Sequence, residues 1–304
     1  MTCILRKGSS KDIWSELDHD GNVFQVYFEF SDRVSIFDRG SLPREFTGLG
    51  RLRCAIAGKI FQALNRAGFL THYISHDVPS ARMYVQPVNI PALGIDYGEV
   101  ASHDLMPVEL LCRLALTEKF NARIKRGEVS RQAVERLMGS NAFRLDPGFV
   151  ECSTKFESTD RYLTDAEAAM LIQIPLNHLH SYYNVVQDVF RFLSTYFRSA
   201  GYFLLMDGKL EASLSKDGII MFVDSISPDE LRLIGSDDRS YDKDPVRQWY
   251  ETQYPEWYAE LKAAKVAFPD DKSKWPDYPT VPPDWLIADV VGRYRTVAEA
   301  IGAI

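Results

Sequence analysis

Cysteine is scarce in this chain of 304 residues: only Cys3, Cys54, Cys112 and Cys152 occur. They are widely scattered, so no pair shows the short spacing of a zinc site and no disulfide framework suggests itself. Such isolated thiols fit a reducing cytoplasm, where cysteine acts mostly as a small buried apolar residue. Long hydrophobic runs are also missing. No stretch approaches the roughly 20 apolar residues that span a bilayer, and Met1 to Lys7 has no apolar stretch of a secretory leader. No membrane partner is expected, and a cytoplasmic location is. Positive charge is not in surplus either. A formal net charge of −7 argues against a nucleic-acid partner, whose phosphates favour a basic surface. Repeats and low-complexity tracts are lacking. The remaining composition, 46% hydrophobic and 25% charged, is that of an ordinary globular protein with one large domain or two closely packed ones. The expectation is a monomer or homodimer acting on small molecules.

The first hundred residues read mainly as strands, including Val23 to Phe30 after a turn at Asn22, and Met83 to Pro87. Between them, Leu52, Ile56, Ile60, Phe61 and Leu64 make a helical stripe over 50–67, and Gly68 marks its end. A boundary near Ser102 to Asp104 divides the chain into parts 1–103 and 104–304. An apolar run, Met106 to Leu116, opens the second part, and a basic helix-prone segment follows from Lys119 to Met138. Residues 140–163, with Pro147 and Gly148, read as a surface loop. The clearest amphipathic helix is Ser181 to Ala200, with Ser181 as N-cap and Gly201 as stop. Residues 254–284, rich in proline and aromatics, read as a surface wrap before a closing helix near Trp285 to Ile301.

The chemistry concentrates in a hairpin. Tyr202 to Met206 and Ile219 to Val223 are apolar strands, and Asp217-Gly218 between them is a favoured two-residue turn. In that register Glu211 faces Asp224. Facing like charges destabilise a sheet, so the pair asks for a cation between its members. Asp207, Lys209 and Glu211 share one face, because strand side chains alternate. The bland alternative is an edge hairpin with solvated charges. Four further segments stand out: the glycine turn Arg6 to Lys11, the alternating Ser31 to Asp38, the run Met106 to Arg113, and Asp242 to Trp249. In the third, Glu109 and Arg113 interrupt apolar sequence, so they pair with each other or address a ligand. His178 and His180 read as surface residues beside a helix cap, and the aromatics Trp249, Tyr250, Tyr254, Trp257 and Tyr258 as packing.

In this order the segments resemble the SAICAR synthetase family, the phosphoribosylaminoimidazole-succinocarboxamide synthases. The likeness runs from Gly8 and Lys11 through Ser31 to Asp38, Met106 to Arg113, Ser153-Thr154-Lys155 and Asp207 to Glu211. It continues in Ser227-Pro228-Asp229 with Arg232, in Asp242-Lys243 with Arg247, and in the closing helix around Val291, Arg293, Tyr294 and Ala298. What it implies is an α+β fold: an N-terminal antiparallel-sheet nucleotide-binding part, a larger α+β part, and an ATP site between them. It also implies ATP-dependent amide formation, in which a carboxylate becomes an acyl phosphate and an amine, aspartate in the family, displaces the phosphate. Mg²⁺ and ATP are the implied cofactors. Glu211 and Asp224 match the metal positions. Gly8, Lys11 and Glu109 match cofactor-binding positions, and Lys155, Asp207 and Lys209 match catalytic ones. Arg113, Arg232, Asp38, Lys243 and Arg247 match substrate contacts, with the arginine forks suited to an anionic carboxylate.

The departures lie where the family receives a ribose phosphate. A Gly-Ser pair is replaced by Glu118-Lys119, and after Asp229 the family's glycine and serine are Glu230 and Leu231. Family lysines are Leu49 and Ser9 here. These changes point to an amide synthetase of specialised metabolism acting on another carboxylate, with aspartate a candidate amine. Rival readings are a purine-biosynthetic SAICAR synthetase, a small-molecule kinase, and an inactive ATP-binding homologue. Leu231, Glu118 and Arg113 are the positions expected to decide the carboxylate.

Overall fold

The structure, a computed structural model, describes residues 2–139 and 143–304. It begins with a meander, β1 (Thr2–Lys7), β2 (Lys11–Leu17) and β3 (Val23–Phe30), in which burial rises from the largely exposed β1 to β3, where Val26, Tyr27 and Phe28 are buried in succession. Helix α1 (Leu49–Arg66) follows, with the expected stripe of Leu52, Ile56, Ile60, Phe61 and Leu64 buried. Its start is capped from a distance: Asp32 accepts hydrogen bonds from the backbone N–H groups of Gly48 (3.0 Å) and Gly50 (2.8 Å). Gly68, at φ +90°, ends it as expected. Strands β4 (Tyr73–Asp77) and β5 (Arg82–Val85) complete an antiparallel sheet in the order β1-β2-β3-β5-β4.

The second sheet has seven strands among the described residues: β6 (His103–Leu105), β7 (Val108–Ala115), β8 (Arg144–Thr154), β9 (Tyr162–Leu163), β10 (Leu204–Ser215), β11 (Ile220–Val223) and β12 (Leu231–Ile234). Strand β10 is its spine and pairs with β6, β7, β11 and β12. Two short helices, α2 (Glu118–Lys125) and α3 (Arg131–Glu135), occupy the basic segment. Then come α4 (Asp165–Ile172), the long α5 (Leu176–Gly201), α6 (Asp244–Gln253), α7 (Pro255–Ala267) and α8 (Asp284–Ala300). The sheets touch through one extended segment. Phe222 of β11 donates to Leu70 O, His72 donates to Phe222 O, and Gln86 donates to His72 O. A single hydrophobic core runs through both, from Phe28 and Ile56 to Phe190, Leu205 and Tyr294.

Four expectations need correction. Residues 144–154 are a strand rather than a loop: Pro147 and Gly148 sit in an irregularity of its pairing with β7, and Cys152, Ser153 and Thr154 beyond them are buried. Residues 140–142 of that expected loop lie outside the described residues. Helix α5 starts five residues before Ser181, whose hydroxyl instead donates to Asn177 O, so His178 and His180 lie inside the helix and His180 meets Asp165 at 3.1 Å. The expected wrap contains α7, anchored by Trp257 and Leu261. Finally, the hairpin loop is Lys216-Asp217-Gly218, with Gly218 at φ +77°, and Glu211 pairs with Val223. Three-residue loops of this kind end on a left-handed glycine. The aromatics around Tyr250 pack on one another as expected, with Tyr250 fully buried.

Candidate active site

A cavity of about 310 Å³ opens where the two sheets meet. Its lining combines apolar side chains, Ile13, Val26, Phe28 and Val85 of the first sheet, Leu105 and Val223 of the second, and Val88, Ile90 and Tyr97 of the connection, with the charged Lys11, Lys155, Lys209, Glu211, Asp224 and Glu230. A cavity with both kinds of lining suits a flat ring that carries a polyanion.

Lys11 reaches the cavity because the preceding turn is tight. Gly8 donates to Lys11 O at 3.0 Å, and a Cβ on Gly8 would lie 2.5 Å from that oxygen. Lys11 Nζ meets Asp224 Oδ2 and Ser225 Oγ, each at 2.9 Å. Burial works against its charge, but Asp224, Glu230 and Glu211 hold the ammonium above its ordinary range. Asp224 leaves strand β11 at φ 66°. That left-handed step aims a side chain that regular alternation would turn away from Glu211's face. The two carboxylates therefore share the cavity although their strand positions do not face each other, which corrects the expected register but keeps its consequence. His72 fixes the step by donating its ring N–H to Asp224 O at 3.0 Å, and burial pulls that imidazole down to about 4, so the ring is neutral.

Glu211 pairs with Lys155. Burial and the charge of Asp224 raise its carboxyl above the usual range despite Lys155 and Lys11. Burial opposes ionisation at Asp224 too, yet Lys11 and Lys155 hold it down to about 2. Carboxylate oxygens are the donors that Mg²⁺ takes, so Glu211 and Asp224 fit the implied cation. Glu230 adds a third carboxylate. It accepts from Ser227 N and Ser227 Oγ at 2.9 Å each, and burial and Asp229 push it up to about 7. Sequence reasoning read Glu230 only as a lost glycine. The Ser-x-x-Glu spacing from Ser227 is a reciprocal turn signature and was the available signal. His72 and the apolar contributors Val88, Ile90 and Tyr97 carried no such signal.

Farther along β10, Asp207 lies between Arg113 (3.3 Å) and Arg232 (3.8 Å). Glu151 in turn holds Arg113 (3.0 Å) and Arg123 (2.8 Å), and Arg113 donates to the Tyr162 hydroxyl. Glu109 is 6% exposed, holds Lys209 at 2.7 Å and does not line the cavity. Glu109 and Arg113 thus pair with β10 residues and not with each other. Their strand neighbours supply the opposite charges at Lys209 and Asp207.

Lys243 lines the cavity and bonds Asp229 at 3.1 Å, and Asp229 also holds the buried Arg53. Arg247 does not line the cavity; it meets Asp244 on its own helix. Asp38 stands outside the cavity lining, paired with Lys265. Two departures are not substrate-facing: Leu231 is 2% exposed and packs against Gly208, and Glu118 is an exposed first-turn acid of α2, a position that the helix dipole favours.

The sequence model of the SAICAR synthetase family matches residues 4–264. A putative phosphoribosylaminoimidazole-succinocarboxamide synthase of Archaeoglobus fulgidus is 29% identical over 78% of this chain and 76% of its own length. The synthase of Thermoplasma volcanium is 27% identical over 98% of each chain. Among solved structures, SAICAR synthase of Saccharomyces cerevisiae complexed with SAICAR superposes with a TM-score of 0.70 at 17% identity, covering 98% of this chain and 94% of that one. A SAICAR synthetase in complex with ADP gives 0.59 at 22% identity, covering 90% of this chain and all of its own. These structures share the α+β fold.

Proposed function

The chain belongs to the SAICAR synthetase family, and from that premise we propose that it is an ATP-dependent ligase joining a carboxylate to an amine. The observation that carries this is the cavity's mixed lining, apolar side chains together with the Lys11–Asp224 and Lys155–Glu211 pairs. The apolar side chains would take the base of ATP, and Lys11 with the glycine turn would face its phosphates. Mg²⁺ held by Glu211 and Asp224 would neutralise phosphate charge. Lys155 and Lys209, which line the cavity, would steady the transferred phosphoryl group. The substrate carboxylate attacks that group and ADP leaves. The amine then attacks the carbonyl, and phosphate departs with the former carboxylate oxygen while the amine loses a proton.

The acceptor that the curated relatives' names favour is the phosphoribosyl aminoimidazole carboxylate, with an amine that completes a succinocarboxamide, namely aspartate. A second reading, an acceptor without the ribose phosphate, is favoured by the charge balance around Arg113, already met by Asp207 and Glu151. The test is ADP release with mass detection of product. The nucleotide carboxylate, L-aspartate and ATP should yield ADP, phosphate and the amide. Turnover only with carboxylates lacking phosphate would install the second reading. A stable phosphorylated product formed without amine would overturn both.

A further inference from the structure

The glycine turn is held from outside the cavity. Gly8, Ser9, Ser10 and Lys11 line the cavity, whereas Asp12, Ser31 and Arg33 line a separate depression. From there they take hold of the turn's backbone. Arg33 Nη2 donates to Gly8 O at 3.0 Å and also to Asp12 Oδ1. The same Asp12 oxygen accepts from the Gly8 N–H at 3.2 Å, and the Ser31 N–H donates to Ser10 O at 2.9 Å. The segment that does this is itself fixed to α1. Asp32 caps that helix, and the buried Arg53 within it donates to Ser31 O and Arg33 O at 2.7 Å each.

An ordinary surface ion pair would join Arg33 to Asp12 alone. Here both side chains also grip the two polar groups of Gly8, and that fixes the next peptide. A peptide unit is planar and trans, so the Gly8 C=O and the Ser9 N–H point in opposite directions. With the carbonyl drawn to Arg33, the Ser9 N–H is turned away from the depression. Among the described residues it bonds no acceptor, so it is free to donate to an anion. A guanidinium on the carbonyl also polarises the peptide and strengthens that donor. We propose that Arg33, aligned by Asp12, is a positioning residue for the nucleotide phosphates: it draws the Gly8 carbonyl out of the cavity and sets the Ser9 N–H toward them. The proposal rests on the placement of ATP in the ligase reading and adds two side chains that do not touch the nucleotide.

The test is calorimetric titration of the wild type, Arg33→Met and Asp12→Asn with Mg²⁺ present and two probes: ATP, and adenosine, which has the base without the phosphates. Arg33→Met should weaken ATP binding about tenfold or more, the worth of one charge-assisted hydrogen bond. Asp12→Asn, which leaves Arg33 in place but frees it, should weaken ATP about threefold. Adenosine affinity should stay within about twofold of wild type in both. Thermal unfolding shows which variants are folded, and Asp12→Asn carries the test should Arg33→Met fail to fold. Unchanged ATP affinity in the folded variant overturns the proposal. Equal weakening of ATP and adenosine overturns it too, because a general disturbance of the fold would not single out the phosphates. ATP binding that weakens selectively in the variants, with no amide formed by the wild type from any carboxylate and amine, supports the role of Arg33 and overturns the ligase reading alone. Absence of ATP binding to the wild type overturns both.

Discussion

Glu211→Gln and Asp224→Asn remove one charge each from the proposed cation site, yet they should affect the ligand-free protein differently. Asp224 is held down to about 2 chiefly by Lys11 and Lys155 against the cost of burial. A carboxyl depressed below its unfolded value stabilises the fold above the unfolded pKa and loses that contribution as pH falls through the folded one. At neutral pH that amounts to about 2 kcal/mol. Glu211 is shifted the other way by burial and by Asp224, so its ionised form burdens the fold at neutral pH, and the burden lifts as pH falls. Glu211→Gln relieves it while costing Lys155 its partner, leaving the apo protein within about 1–2 kcal/mol of wild type. Breaking a purely structural buried pair would instead cost about 3–5 kcal/mol, a fall in Tm of at least about 6 °C for a chain of this size. Both variants should lose about 10²–10³-fold in kcat/KM for ATP, comparable to removing one preorganised charge-stabilising group. Thermal unfolding without ligand and ADP release under saturating Mg²⁺ measure the two effects. Should Glu211→Gln drop Tm by 6 °C or more while the folded fraction keeps normal turnover, Glu211 is a brace and not part of a cation clamp.

His72 is lowered to about 4 by burial. Its neutral ring therefore stabilises the fold above the unfolded value near 6.5, and about 3 kcal/mol of that is lost as pH falls from 6.5 towards 4. Denaturant titrations from pH 7 to 4 should show that slope in the wild type and a flatter one in His72→Gln; equal slopes would refute the assignment. Gly8→Ala places a methyl 2.5 Å from the backbone oxygen of Lys11. It should raise KM for ATP at least about tenfold while costing about 1–3 kcal/mol of stability, and unchanged ATP affinity in steady-state kinetics would remove the glycine turn from the nucleotide site.

Local features were legible because they depend on neighbours in sequence. The stripe of α1 and its stop at Gly68 follow from a 3.6-residue period and one left-handed position. Strand β8 was hidden because Pro147 and Gly148 punctuate a strand at an irregularity much as they punctuate a loop. The hairpin shows how a wrong register left the chemistry standing. Its three-residue loop shifts the ladder by one position, which should have turned Asp224 away from Glu211, and the positive φ of Asp224 turns it back. No pattern in the sequence announces that step, since its partner His72 lies 152 residues away.

The pairings that give the site its charge balance span similar distances: Lys11 to Asp224 across 213 residues, and Arg113 to Asp207 across 94. Only the order of segments, and the resemblance it carried, could place them together beforehand. Leu231 is in the core and Glu118 is at an exposed helix start, so neither stands in the cavity wall. Arg113 keeps its place in the reckoning, but Glu151 and Asp207 already occupy its fork. An incoming anion must therefore displace one of these carboxylates or be drawn by the combined field of Arg113, Arg123 and Arg232. If Arg113 and Arg232 take the carboxylate as the resemblance implies, its choice would turn on how firmly Glu151 holds Arg113 and Arg123.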